Sequence, residues 1–131
     1  MEVTYIDHVM KLFYAAGFIE ADGCFQLTNS GVGVRVTNKH LPTLEWFKGN
    51  FGGQVISKSS PVDCWEWNLH GSACIDFVKE IRPCLMMKLK EADILIQFGA
   101  TVGSRGKRVS VETKQHRDDL REKLKEARKC R

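Results

Sequence analysis

Two pairs of short alternating segments, each pair preceded by a helical pattern, limit the fold of this chain most strongly. Apolar and polar side chains alternate over residues 24–29 and 32–37, which are joined by Ser30-Gly31. The same alternation returns over residues 54–59 and 64–69. Alternation on both sides of a short turn is typical of a β-hairpin that buries one face and leaves the other polar. The sequence therefore predicts two hairpins.

Segments with helical periodicity stand before, between and after the hairpins. In the first, apolar or small residues recur every three or four positions from Met1 to about Glu20, and Asp22-Gly23 is expected to end the helix. Further helices are predicted over residues 43–51, 71–80, 83–99 and 110–129. This order predicts an α+β fold with an αββαββα core in residues 1–100, followed by a basic loop and helix in residues 101–131.

The length and composition narrow the class of protein. With 131 residues and 43% hydrophobic content, the chain has enough apolar material for the core of one domain. No apolar run approaches the roughly eighteen residues of a transmembrane helix, and the N-terminus lacks a signal-peptide pattern, so no membrane association is expected. The five cysteines include no Cys-x-x-Cys pair, which favours free thiols in an intracellular protein over a disulfide framework or a zinc site.

Positive charge is concentrated at the C-terminal end. Residues 105–131 carry a net charge of +6, whereas residues 1–104 carry −2. A basic tail on a slightly acidic body suits a polyanionic partner, and it is equally typical of a solvated, charge-rich helix. Because the apolar content of this last helix is thin, we expect the helix to lie on the surface rather than contribute to the core.

The end of the first helix, YAAGFIEADG, combines unusual residues. Gly17 in mid-helix costs about 1 kcal/mol relative to alanine, and close approach by another helix backbone is the natural compensation. Asp22 lies at the negative end of the helix dipole, where an acid is unfavourable and a bound cation would reverse the penalty. An Asp-Gly pair that forms a turn after a helix has the same sequence, so the residues alone leave both interpretations open.

The same ten residues resemble the signature of the LAGLIDADG homing endonucleases, which ends in an acid, a small residue, Asp and Gly. The αββαββα order is similar to the core of that family, and so are Val34-Arg35-Val36-Thr37-Asn38-Lys39, Ile81-Arg82-Pro83-Cys84-Leu85 with Lys88, and the basic tail. The resemblance implies a saddle-shaped antiparallel sheet backed by helices. Ala15 replaces the first leucine of the motif, and Glu20 is its first acid. Because Glu20 stands about 200° around the helix from Asp22, we expect it to cap or form a local ion pair, not to share a metal.

The resemblance implies a site-specific endonuclease that hydrolyses phosphodiester bonds in a long pseudo-palindromic site of double-stranded DNA. One copy of the motif implies a homodimer, with Phe13, Gly17 and Ala21 at the interface. Mg²⁺, or another divalent cation, is expected to be bound by Asp22 of each subunit and by the Ala21 carbonyl. The metal would activate water for hydrolysis.

Two further residues match catalytic positions of the family. Asn38 stands where a polar side chain orders the attacking water, and Lys88 stands where a lysine stabilises charge at the phosphate or polarises the water. Without the resemblance, these residues would be an asparagine at a strand end and a solvated helix lysine. His40, close to Asn38, is a further candidate for a phosphate contact.

The polar face of the sheet and the basic tail are the predicted DNA-binding surface. Arg, Gln, Asn and Glu side chains on such a face match the hydrogen-bonding groups of base edges in the major groove. The predicted DNA-binding residues are Gln26, Thr28, Ser30, Arg35, Thr37, Gln54, Ile56, Lys58, Glu66, Asn68, Arg105, Lys107 and Arg108. If the predicted register of the strand over residues 54–59 were shifted by one residue, Val55 would replace Ile56 on the polar face. Trp65 and Trp67 have the opposite parity, which predicts that they belong to the core.

Other functions are compatible with the same residues. An intron maturase that binds structured RNA, or a DNA-binding regulator without cleavage, would use the same scaffold. Asp22, Asn38 and Lys88 together favour cleavage, because a carboxylate beside phosphates weakens binding unless a metal neutralises it. An unrelated α+β domain that binds a protein or nucleic acid through its basic tail is the third possibility.

Overall fold

The structure, a computed structural model, describes residues 5–28, 31–58, 63–101 and 110–129. Within these residues the elements follow the predicted order, with a 3₁₀ turn at Arg82–Cys84 before the fourth helix. The elements are α1 (Tyr5–Asp22), β1 (Gly23–Thr28), β2 (Gly31–Asn38), α2 (Leu41–Phe51), β3 (Gln54–Lys58), β4 (Cys64–His70), α3 (Gly71–Ile81), α4 (Leu89–Gly99) and α5 (Val111–Lys129). The predicted α+β fold is confirmed.

The two hairpins form a single antiparallel sheet. Its strand order is β1-β2-β4-β3, so the second strand of each hairpin lies at the centre. Across the pair of β3 and β4, Val55 lies opposite Trp67 and Ile56 lies opposite Glu66. This register gives Ile56 the parity of the polar face, as predicted, and excludes the slip of one residue.

The helices cover one face of the sheet, and the core lies between them and the strands. Phe25, Val34, Val36 and Trp67 are fully buried there. The Trp67 indole N–H donates to the carbonyl of Gly52 at 2.8 Å, so its polar atom is satisfied. Trp65 is partly buried against the same cluster. The prediction that the tryptophans belong to the core is confirmed for Trp67, whereas Trp65 packs against the core while partly exposed.

The last helix is more than a surface element. Leu120 and Leu124 of α5 are buried in the main hydrophobic cluster, so the expectation that this helix lies outside the core is wrong for one of its faces. Two leucines four positions apart are sufficient to anchor a helix whose other positions are almost all polar. None of the helices in the described part of the chain has both the length and the apolar character needed to cross a bilayer.

The fourth helix begins later than predicted. The sequence predicted helix from Pro83, whereas residues 82–84 form the 3₁₀ turn, Leu85 is extended, and α4 starts at Leu89. As a result Lys88 occupies the N-cap position of α4 instead of its second turn. The first helix, in turn, extends to Asp22, two residues beyond the predicted end.

Candidate active site at the end of the first helix

Asp22 and Asn38, two of the three predicted catalytic residues, are in direct contact. Asp22 is the exposed last residue of α1, and Asn38 is the last residue of β2. The Asn38 side-chain amide donates to Asp22 Oδ2 at 3.1 Å, and Asn38 Oδ1 accepts the backbone N–H of His40 at 2.8 Å. Because a backbone N–H can only donate, it fixes which end of the amide faces Asp22. The role of the His40 main chain was not apparent from the sequence.

Lys88, the third predicted catalytic residue, lies beside them but is almost completely buried, with 3% of its surface exposed. Its Nζ donates to the carbonyls of Ile19 at 2.8 Å and Gly23 at 2.5 Å. The last carbonyls of a helix have no partner within the helix, and a cation at that end is favoured by the dipole. The alternative that Lys88 is a solvated helix lysine is therefore wrong.

Gly23 is required by the close approach of the strand to the helix it follows. A Cβ atom at this position would lie 2.8 Å from Ile19 Cα and 2.9 Å from Ile19 O. These are backbone atoms that cannot move aside without opening the end of α1. The glycine after Asp22 thus allows β1 to leave directly from the helix, and it keeps the Gly23 carbonyl within reach of Lys88.

Glu20 binds a segment far away in the chain, so the expectation of a local cap or ion pair is wrong. Its Oε1 accepts the backbone N–H of Met86, and its Oε2 accepts that of Met87 at 2.6 Å. The sequence predicted a local partner. The structure instead shows a contact across more than sixty residues, directly before Lys88.

The donor atoms at this end of α1 fit part of a divalent-metal site. Asp22 offers an exposed carboxylate at the negative end of the helix dipole, and carboxylate and carbonyl oxygens are the ligands that Mg²⁺ prefers. No cluster of three or more His, Cys, Asp or Glu residues that could hold a metal occurs in the described residues. In the described part of the chain, the Asp22 carboxylate is therefore the group at this end of α1 that could bind a metal. A metal bound there would polarise a phosphate oxygen and lower the pKa of a bound water.

The predicted DNA-binding residues of the strands share one face of the sheet. The register aligns Arg35 with Asn68 and Thr37 with Glu66, and Gln54 and Ile56 lie opposite Asn68 and Glu66 on the other side. Gln26 and Thr28 have the same parity on β1, since Cys24 lies opposite Arg35. Ser30 in the first hairpin turn and Arg105, Lys107 and Arg108 lie outside the described residues.

The centre of this face is less exposed than predicted. Glu66 and Asn68 on β4 are each only 6% exposed, so the expectation that they are open to solvent is wrong. Lys58 Nζ lies 3.0 Å from Glu66 Oε1, and the Asn68 amide donates to Glu66 Oε2 at 3.2 Å. Long side chains on the flanking strands cover the central strand, which alternation alone does not predict.

The outer face of α1 carries exposed apolar and small residues in one stripe. Met10, Phe13, Gly17 and Ala21 are all exposed, at the spacing of one helix face. A Cβ atom at Gly17 would meet nothing within 4 Å. Nothing in the described part of this chain therefore requires glycine at that position.

The described cysteines do not form a reactive centre. Cys24, Cys64, Cys74 and Cys84 are free thiols. Burial raises the pKa of the Cys74 thiol to about 12, so that this group stays protonated at neutral pH.

The fold is similar to those of solved homing endonucleases. The archaeal intron-encoded homing endonuclease I-Vdi141I, complexed with DNA, is 17% identical with a TM-score of 0.76 over 92% of this chain and 85% of that chain. The homing endonuclease I-CvuI, in complex with its target, is 18% identical with a TM-score of 0.63 over 90% and 94%.

A third structure, the meganuclease I-SmaMI bound to uncleaveable DNA, is 13% identical with a TM-score of 0.65 over 84% of this chain and 43% of that chain. No protein-family model matches the chain, and no curated protein matches its sequence. At these identities the likeness establishes the fold. The chain has the fold of the LAGLIDADG homing endonucleases, which confirms at the level of the fold the resemblance found in YAAGFIEADG.

Proposed function

We propose that this protein is a site-specific DNA endonuclease of the homing type, which hydrolyses phosphodiester bonds in double-stranded DNA with a divalent metal. The proposal rests on the contacts at the end of α1, where Asn38 donates to Asp22 and Lys88 donates to the carbonyls of Ile19 and Gly23. Asp22, Asn38 and Lys88 come from three separate elements. The fold in which they meet is that of I-Vdi141I and I-CvuI, each solved with DNA.

The active form proposed is a homodimer in which the stripe on α1 (Met10, Phe13, Gly17 and Ala21) packs against its copy. Exposed Met10 and Phe13 provide apolar area, and Gly17 allows the two helix backbones to approach closely. This chain spans 43% of the I-SmaMI chain, which is therefore long enough for two such units. Pairing would bring two copies of Asp22 together at the ends of the paired helices.

Each residue of the site has a distinct role in this proposal. Asp22 binds the metal, for which Mg²⁺ is the expected ion, and structures of I-CvuI were solved in the presence of 2 mM Mg or 2 mM Ca. Asn38 orients the Asp22 carboxylate and orders the attacking water. Lys88 places a positive charge behind the end of α1, where it offsets the charge that develops on the phosphate.

The polar face of the sheet is proposed to bind the major groove. Strand β2 has eight residues, and a strand of that length spans about 25 Å, or roughly seven base pairs. The exposed members of the polar face are Thr28, Arg35, Thr37, Gln54 and Ile56. A homodimer would present two such faces, which predicts a long pseudo-palindromic site.

The test is selection of cleaved sites from a randomised pseudo-palindromic DNA library, with Mg²⁺ and in parallel with a chelator. Enrichment of one long site that depends on the metal is the expected result. Binding without cleavage would contradict the nuclease proposal, and the same protein would then be tested with structured RNA.

A further inference from the structure

Glu20 and Lys88 link the same two segments in opposite directions. The Glu20 carboxylate of α1 accepts two backbone N–H groups from the turn at residues 86–87, and Lys88, the next residue of that turn, donates back to two carbonyls at the end of α1. The contacts span 65 to 69 residues of chain. An anion binds the amides and a cation binds the carbonyls, so each segment satisfies polar groups of the other.

Apolar packing does not fix the turn at the point where Glu20 binds it. The side chains of Met86 and Met87 are 86% and 61% exposed. The residue before them, Leu85, is buried, and Lys88 after them is held by its ammonium group. Between these two anchors, both oxygens of the Glu20 carboxylate accept backbone N–H groups of the turn.

We propose that Glu20 is a positioning residue, which sets the place of the Lys88 ammonium group against the carbonyls on either side of Asp22. The inference rests on the proposed function, because it assigns Glu20 an effect on catalysis through Lys88. Loss of the carboxylate leaves two amides without their acceptor and lets the turn move. The lysine then loses a fixed position relative to Asp22 and the scissile phosphate, and misplacement by about 1 Å is sufficient to slow a reaction by up to about a hundredfold.

The experiment is a double-mutant cycle on cleavage of the selected DNA site under single-turnover conditions. Glu20→Gln keeps the size of the side chain but replaces one acceptor oxygen with an NH₂ donor. We expect a loss of about 10- to 100-fold in the cleavage rate at saturating enzyme, with the Kd for DNA within about twofold of wild type. In a Lys88→Ala background, Glu20→Gln is expected to cost no more than about twofold further.

Two further variants keep the test decisive. Glu126→Gln changes an exposed carboxylate on α5 that pairs with the exposed Lys129, and this variant is expected to cleave at the wild-type rate. Glu20→Asp keeps the charge and shortens the side chain by one methylene group, and it replaces Glu20→Gln in the test if that variant does not fold. We expect its cleavage rate to lie between the rate of wild type and the rate of Lys88→Ala.

The possible failures are distinguishable. If wild type and Glu126→Gln cleave no DNA, the proposed function is wrong. If wild type cleaves and Glu20→Gln cleaves equally well, only the role of Glu20 is refuted. A loss that is as large in the Lys88→Ala background as in wild type would also refute it, because Glu20 would then act independently of Lys88.

Discussion

Lys88 and Arg128 both donate to backbone carbonyls, and they differ in what surrounds them. Lys88 binds the carbonyls of Ile19 and Gly23 at the end of α1, beside the exposed Asp22. Arg128 of α5 donates to the carbonyl of Phe25 on the edge strand β1 and lies near the buried Glu91. Both supply donors to main-chain carbonyls, Lys88 at the end of a helix and Arg128 at the edge of the sheet.

The difference shows which feature separates a candidate site from a structural contact. Arg128 lies between a strand edge and a buried carboxylate, where it completes the fold and closes an edge that would otherwise be open to pairing. Arg121, about two turns earlier in α5, donates to the carbonyl of Thr28 on the same strand. At Lys88 the neighbouring groups include an exposed carboxylate that is able to bind a ligand. A cation that donates to a backbone carbonyl is therefore by itself a structural contact, and the exposed acid beside Lys88 is what makes that position a candidate site.

Among variants that test the difference between Lys88 and Arg128, Lys88→Ala is expected to change the cleavage rate most. Removal of the ammonium group should lower the cleavage rate about a hundredfold, because the positive charge behind the Asp22 site is lost. Single-turnover cleavage of the selected DNA site measures it, with circular dichroism to verify folding. A wild-type rate would mean that Lys88, like Arg128, has only a structural role.

Arg128→Ala is expected to change stability and not chemistry. It leaves Glu91 buried without this partner and removes a donor from β1, so we expect a loss of about 2–3 kcal/mol in the free energy of unfolding. The value lies below that of a fully buried pair because Arg128 is partly exposed. Urea unfolding measures it, and Lys129→Ala, an exposed neighbour, is the control. A slower cleavage rate in the folded variant would contradict the distinction drawn between the two cations.

Gly17→Leu tests whether the Asp22 end of α1 is completed by a second chain. The new side chain meets no atom of the described chain, so the monomer should fold, but it should force apart two packed copies of α1. Size-exclusion chromatography with light scattering is expected to show a monomer at about 10 μM, a concentration at which wild type is dimeric. Gly49→Leu on α2, where a Cβ also meets nothing within 4 Å, is the matched control. A dimer in the Gly17 variant would exclude this stripe as the interface.

Local patterns in the sequence predicted the elements and their faces well. Alternation assigned Val34, Val36 and Trp67 to the core, and the register confirmed Ile56 on the polar face. Such patterns depend on neighbouring residues, so they carry little information about contacts between distant segments. The burial of Lys88 is one of the features that the patterns did not predict, since its partners lie 65 and 69 residues away.

The exposure of polar side chains was the least predictable feature of the candidate site. Alternation placed Glu66 and Asn68 on the correct face, but both are buried, and Lys58 of the flanking strand β3 lies against Glu66. Leu120 and Leu124 were too few to predict that α5 contributes to the core, yet two leucines at the right spacing are enough to bury one face. In each case the result depends on the size and reach of side chains on another element.

The central claim is that Asp22 at the end of α1 binds the metal of a DNA-cleaving site. The most direct test compares wild type with Asp22→Asn on the selected DNA site in Mg²⁺, and measures cleavage and binding in the same samples. We predict that cleavage falls by at least about a thousandfold while the Kd for DNA stays within about tenfold, because the change removes a metal ligand and few base contacts. Cleavage by Asp22→Asn at the wild-type rate would contradict the account.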